Sequence, residues 1–213
     1  MSKAVLISIQ PKWCELIANG KKTVEIRKTK PKLETPFKVY IYCTKPKMRL
    51  IDIIRDGEDV YGEIYHGKTR LIKVAESSAY GTMCRKHQKV IGEFMCYDIG
   101  EYETEFYPPE KQPVYEAITE WNEENEVYEA VASNCDTYRT NFLNATCMSL
   151  EDFREYLGIG EISFYGWHIS DLVIYDMPRE LSEFTALRKT KFGYEPVEVK
   201  RPPQSWCYVE ESK

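Results

Sequence analysis

No run of 18 apolar residues occurs in the 213-residue chain, so no membrane-spanning helix is expected. The apolar stretch at the N-terminus is too short for a secretion signal and leads straight into structured sequence, so the expected location is the cytoplasm. No C-x-x-C pair occurs either, although there are seven cysteines, from Cys14 to Cys207. Their odd number and wide spacing argue against a disulfide framework, and the closely spaced ligand pairs of a structural zinc site are missing. The cysteines are expected to serve as small buried apolar groups, with no metal site and no cofactor. Internal repeats and low-complexity tracts are absent. Bases are nearly missing from one stretch: residues 93–130 hold 12 acids against the single base Lys111.

What is present supports a packed core. Hydrophobic residues make up 43% and aromatics 13%, which excludes disorder across the whole chain. Net charge is −5 but unevenly spread, with 12 Lys/Arg and 3 Asp/Glu in residues 1–50. The asymmetry predicts one basic and one acidic face or segment. A basic face can hold a phosphate backbone, or it can simply solubilise the N-terminal half.

The pattern predicts a buried strand over 4–9, then a short helix opened by Pro11, striped by Trp13, Leu16 and Ile17, and stopped at Asn19-Gly20. Strands are expected over 23–28 and 37–43, and a hairpin joining 60–65 to 69–74 around His66-Gly67. Another is expected over 88–98, where Gly92 marks a bulge or a close backbone approach. Residues 100–148 read as acidic and irregular, with one short helix through Val114, Ile118 and Trp121. Ser149 to Asp152 matches a helix start. A long strand bent at Gly166 is expected over 162–175, and a closing strand over 205–209. Helices are few and short and no βαβ pattern is sustained. The expected fold is therefore α+β, a small mixed or antiparallel β-barrel with two or three short helices at its rim. One domain over 1–213 is expected, with insertions at about 46–87 and 101–148, because the second of these has too few apolar residues for a core of its own.

Residues 20–27, Gly-Lys-Lys-Thr-Val-Glu-Ile-Arg, set an ammonium, a carboxylate and a guanidinium on one short element. On a strand, Thr23, Glu25 and Arg27 share one face and Val24 and Ile26 the other. The apolar pair then points into a core, and the polar set, with Lys22 at the turn, lines something else.

These residues carry a resemblance. The opening "ISIQPKW", the "NGKKTVEIRK" that ends the helix and the strand "VYIYC" resemble the ASCH domain of the PUA-like superfamily. Its GxKxxExR signature is met by Gly20, Lys22, Glu25 and Arg27. The blocks "KVIGEFMC", "YGWHISDLVIYDMPRELSEF" and "RPPQSWCYVE" are similar to a phage- and prophage-associated branch of that family. The resemblance covers roughly 1–45, 88–100 and 149–210. It implies a PUA-like barrel with a cleft beside the N-terminal helix that holds RNA, another single-stranded nucleic acid or a nucleobase. It also implies that some relatives hydrolyse acetylcytidine and that others are ribonucleases.

Lys22 at a turn suits a phosphate, or is a solvated lysine. Glu25 and Arg27 lie about 7 Å apart along a strand, close enough to pair. They form a structural ion pair, or Arg27 fixes Glu25 to accept from the amino edge of a base. In the hydrolase branch a threonine nucleophile stands where this chain has Glu25, and Thr23 falls two positions early, which counts against that chemistry here. Ser8 and Gln10, at the end of the first strand, and Ser205 are further ligand candidates. Trp13 reads as core and Trp206 as the cleft floor. His168 reads as a hydrogen-bonded strand histidine, since no nucleophile motif supports a role with Ser205. The expected function is nucleic-acid binding. The alternative is an enzyme, a ribonuclease or an amidohydrolase on a modified nucleoside, in which Lys22 and Glu25 would act. A further partner is a basic protein docking on the acidic segment.

Overall fold

The computed structural model describes residues 2–45, 49–56, 59–65, 69–73, 88–111, 116–134 and 141–211; between 49 and 73 it describes the backbone. Its strands form three sheets. The largest has seven strands in the order β12-β7-β3-β1-β15-β13-β14. These are β1 (Lys3–Ile9), β3 (Phe37–Cys43), β7 (Lys89–Cys96), β12 (Ser170–Arg179), β13 (Thr185–Thr190), β14 (Gly193–Glu198) and β15 (Trp206–Glu210). Only the β1–β3 pair is parallel. A five-stranded antiparallel sheet runs β10-β9-β8-β11-β2, from β2 (Val24–Arg27), β8 (Ile99–Phe106), β9 (Ala117–Asn122), β10 (Val127–Ser133) and β11 (Gly160–His168). A separate meander joins β4 (Arg49–Asp56), β5 (Asp59–Tyr65) and β6 (Thr69–Lys73). The expected hairpin is present there, in the register Tyr65↔Thr69.

The two larger sheets are open at both ends, so the expected closed barrel is not formed. The chain is mostly β-sheet with three α-helices among the described residues: α1 (Pro11–Ala18), α2 (Asn141–Thr146) and α3 (Leu150–Leu157). β1 is buried on both faces, and from Ala4 to Ile7 it reads as an apolar run for that reason. Val5, Ile7 and Ile9 meet α1, β3 and Trp167 on one side. Ala4 and Leu6 meet Phe184 and Val199 on the other. A second core lies over the five-stranded sheet, where Val24, Ile26, Tyr102 and Phe164 pack against Phe142 and Phe153 from α2 and α3.

Three expectations are corrected by tertiary pairing. Residues 117–122 are a strand rather than a helix. Ile118 pairs with Thr104 and Glu120 with Tyr102, and the Thr104 hydroxyl donates to Ala117 O at 2.8 Å. Residues 112–115 of that expected helix lie outside the described ones. The stretch after 100 is therefore not irregular: β8 lies between β9 and β11 in the sheet, and its Tyr102 and Phe106 belong to the shared core. Residues 162–175 are not one bent strand. The chain leaves the five-stranded sheet after His168 and joins the edge of the seven-stranded one at Ser170. Gly166 is no bend; the Tyr102 ring packs on it, and a Cβ there would lie 2.8 Å from Tyr102 Cε2. Gly92 is both a bulge and a close approach. The β3–β7 register slips beside it, and a Cβ would come within 2.3 Å of Val173 O.

Candidate functional site

β2 is buried from end to end, and its pleat divides it as alternation requires. Val24 and Ile26 enter the second core, while Glu25 and Arg27 turn to a cleft on the other side. Gly20, at φ +69, lets the chain reverse after α1, and the N–H groups of Lys21 and Lys22 both donate to Leu16 O. This reversal carries Lys22 over β2. Its Nζ stands 3.5 Å from Glu25 Oε2, and Arg27 Nη2 stands 2.8 Å from Glu25 Oε1. Each cation has a backbone anchor as well: Lys22 Nζ donates to Thr146 O at 2.7 Å and Arg27 Nη2 to Ser8 O at 2.8 Å. Lys22, Glu25 and Arg27 are only 2%, 5% and 6% exposed.

The trio carries one net positive charge. Burial lowers the Lys22 ammonium below its ordinary value; Glu25 pulls it back in part, and Arg27 opposes that. The Trp13 ring lies 5.0 Å from Nζ, within cation–π range. Both carboxylate oxygens of Glu25 already face a cation. Arg27 Nε is buried and has no hydrogen-bond partner among the described residues. A buried donor left unpaired is costly, so this atom marks a place where an acceptor belongs.

The cleft measures about 570 Å³. One wall is the end of β1, with Ser8 and Gln10, and the start of α1, with Lys12 and Trp13. A second wall is α3, which contributes Asp152, Glu155 and Tyr156. Ser149 caps α3 in a capping box with Asp152. Burial alone would raise the Asp152 carboxyl, but hydrogen bonds from Ser149 and the nearby Lys12 outweigh it and hold it below the usual value. Burial raises the Tyr156 phenol, and the nearby positive charge of Arg27 partly offsets this. The third wall is a strap through Pro202, Pro203, Gln204 and Ser205, tied to β1 by Ser8. The Ser8 hydroxyl donates to Pro203 O at 2.7 Å, and its N–H to Ser205 O at 2.9 Å.

Six of the expected site residues therefore meet: Ser8, Gln10, Lys22, Glu25, Arg27 and Ser205 all line the cleft. Gly20 and Thr23 do not. Gly20 acts through the turn, and Thr23 precedes the pleated part of β2, so its side chain is exposed rather than aligned with Glu25. Trp13 is a cleft wall as well as a bridge between the two cores. Trp206 is not the floor; it packs on Trp167 and Tyr208 and donates to Thr29 Oγ1. His168 stands outside the cleft, with Nε2 3.8 Å from Asp98 Oδ2. The α3 wall and the Pro202, Pro203 and Gln204 part of the strap were missed from sequence. A signal for α3 was there, since Asp152, Glu155 and Tyr156 follow i, i+3, i+4 spacing and share one helix face. Among the described side chains, three lysines after Arg27 are engaged outside the cleft. Lys28 donates to Leu157 O at 2.8 Å, Lys30 pairs with Glu101, and Lys38 lies 3.1 Å from Glu93. Lys45 reaches the cleft.

The family model of the ASCH domain matches residues 7–134, which include the whole GxKxxExR segment. The chain belongs to the ASCH domain family. ASCH domains are generally associated with RNA and nucleic-acid binding. Among solved structures, this ASCH chain is similar to ASCH from Zymomonas mobilis, with 16% identity and a TM-score of 0.45 over 98% of this chain and 88% of that one. A tyrosine-to-phenylalanine mutant of the Zymomonas protein gives 16% identity and a TM-score of 0.45 over 99% and 92% of the two chains. A serine-to-alanine mutant of the same protein gives 15% and 0.44 over 98% and 89%. At these scores no residue role passes from those proteins to this ASCH domain. No curated protein matches the sequence. Among the described residues, no helix is long and apolar enough to cross a membrane.

Proposed function

We propose that the ASCH cleft binds a nucleotide of RNA, or of another single-stranded nucleic acid, with Arg27 as the central contact. The observation that carries this reading is Arg27 Nε, a buried cationic donor at the cleft wall with no hydrogen-bond partner among the described residues. An oxygen of phosphate or of a base carbonyl is the acceptor that suits it, and the net positive trio favours one that is charged. Glu25 holds Lys22 and Arg27 in place rather than reading the ligand, because each of its oxygens already faces a cation. Trp13 and Tyr156 offer aromatic surface against which a base can stack, a contact generally worth about 1–3 kcal/mol. The cleft's volume falls in the range of small-ligand sites. The blocks over 88–100 and 149–210 lead us to place the chain in the prophage-associated branch, as a cytoplasmic protein.

The experiment is a salt titration of binding to a fluorescent mixed-sequence RNA. Affinity is expected to fall steeply as salt rises, and Arg27→Lys to weaken binding by about 1.5–3 kcal/mol at fixed salt, the usual worth of a hydrogen bond to a charged group. Binding that ignores both would remove the reading.

One observation favours a second reading, an enzyme. Burial of Lys22 brings its amine closer to neutrality, as a general base or nucleophile requires. A ribonuclease would cut labelled RNA in a reaction lost in Lys22→Met. The acetylcytidine hydrolase version has less support, because Glu25 stands at the nucleophile position and Thr23 lies outside the cleft.

A further inference from the structure

A second hollow of about 640 Å³ lies beside the first. Pro202, Pro203 and Gln204 line both, so the two are separated by the thickness of one chain. That strap is stiff: two consecutive prolines fix its backbone, and Ser8 pins it to β1. The floor of the second hollow is apolar, made by buried Val199 and half-buried Ala186 and Cys207. Burial pushes the Cys207 thiol up to about 11, so the floor carries no thiolate at neutral pH. Lys200 and Arg201 stand exposed at its rim, with Glu198 as the one acid among the lining residues. Neither cation has an ion-pair partner among the described residues. Lys21, Lys32, Lys45, Lys189 and Lys191 share this among the described residues, whereas Lys30, Lys38, Lys89, Arg154, Arg179 and Arg188 are each matched to a glutamate.

We infer that the second hollow is a subsite for the adjoining nucleotide of the same RNA strand. The strand passes over the Pro202–Gln204 strap, Lys200 and Arg201 hold its phosphates, and the apolar floor takes a ribose or base face. The inference rests on the nucleotide reading of the first cleft and extends it from one nucleotide to at least two. It gives the strap a function: a rigid sill between two adjacent seats, with the buried trio on one side and a pair of free surface cations on the other. Affinity then depends on strand length, because a single nucleotide fills only the first seat.

The experiment compares the wild-type chain with the double variant Lys200→Ser, Arg201→Ser, both positions being exposed. The probes are a fluorescein-labelled mixed-sequence RNA of about a dozen nucleotides and, as competitor, an equal mixture of the four nucleoside monophosphates. The double variant is expected to bind the RNA about tenfold more weakly at low salt, and the slope of log affinity against log salt is expected to flatten by about 1.4, or 0.7 per lost phosphate contact on a single strand. The monophosphate mixture should keep its wild-type inhibition constant, whereas Lys22→Met should weaken both probes. Unchanged RNA affinity and slope in the double variant would overturn the second subsite and leave the first cleft's reading standing. No RNA binding by the wild-type chain would overturn both.

Discussion

Lys22, Glu25 and Arg27 share one net positive charge in a nearly dry space, so the consequence of a substitution depends on which charge is removed. Glu25→Ala leaves two buried cations facing each other, and we expect a loss of about 3–5 kcal/mol in urea unfolding. Lys22→Met leaves the neutral Glu25–Arg27 pair and should fold with little penalty. The pH dependence differs in a defined direction. The folded Lys22 has a lowered pKa, so between that value and the ordinary lysine value of about 10.4 the unfolded chain binds more protons than the folded one. The cost of burying the ammonium is thus present below the folded pKa and is relieved as pH rises through that window. Wild-type stability should gain on Lys22→Met between neutral pH and pH of about 10; a constant difference would show that Lys22 is not desolvated. The sequence made this trio legible because the period of two separates Glu25 and Arg27 from Val24 and Ile26 wherever the strand is pleated. Thr23 was misplaced because the pleat begins one residue later, at Val24.

At the scale of elements, α3 is the piece on which the cleft's second wall depends. Ser149→Ala removes the side-chain half of the capping box and should cost about 1 kcal/mol in thermal or urea unfolding. RNA affinity should fall with it, since Asp152, Glu155 and Tyr156 ride on that helix. Unaltered stability would mean that the cap is not formed in solution. This helix was legible, because its start signal is local chemistry contained in four residues. β9 was not: Val114, Ile118 and Trp121 fit helical spacing, and only pairing with β8 and β10 selects the strand. The break between β11 and β12 was equally hidden. It is set by the divergence of two sheets, with Ile169 N–H donating to Thr23 O at 2.9 Å, and not by any breaker residue in the segment.

Across the whole molecule, the uneven charge of the sequence is partly folded onto itself. Lys30 meets Glu101 and Lys38 meets Glu93, so two acids from the poorly basic stretch pair with N-terminal bases instead of standing apart from them. That stretch is also structural. Excising 101–148 would remove β8 from beside β11, take Tyr102, Phe106 and Phe142 out of the core, and delete the Thr146 carbonyl that anchors Lys22. We expect the excised chain to lose its cooperative unfolding transition by circular dichroism; a folded product with stronger RNA binding would instead identify the stretch as a detachable mask.

The most direct test of the central claim follows the Arg27 Nε–H signal by nitrogen–proton NMR, assigned by its disappearance in Arg27→Lys, during titration with a short single-stranded RNA. A donor waiting for an acceptor should shift strongly and in proportion to occupancy, and should become protected from exchange with solvent. A resonance that stays in place while the RNA binds would contradict the account.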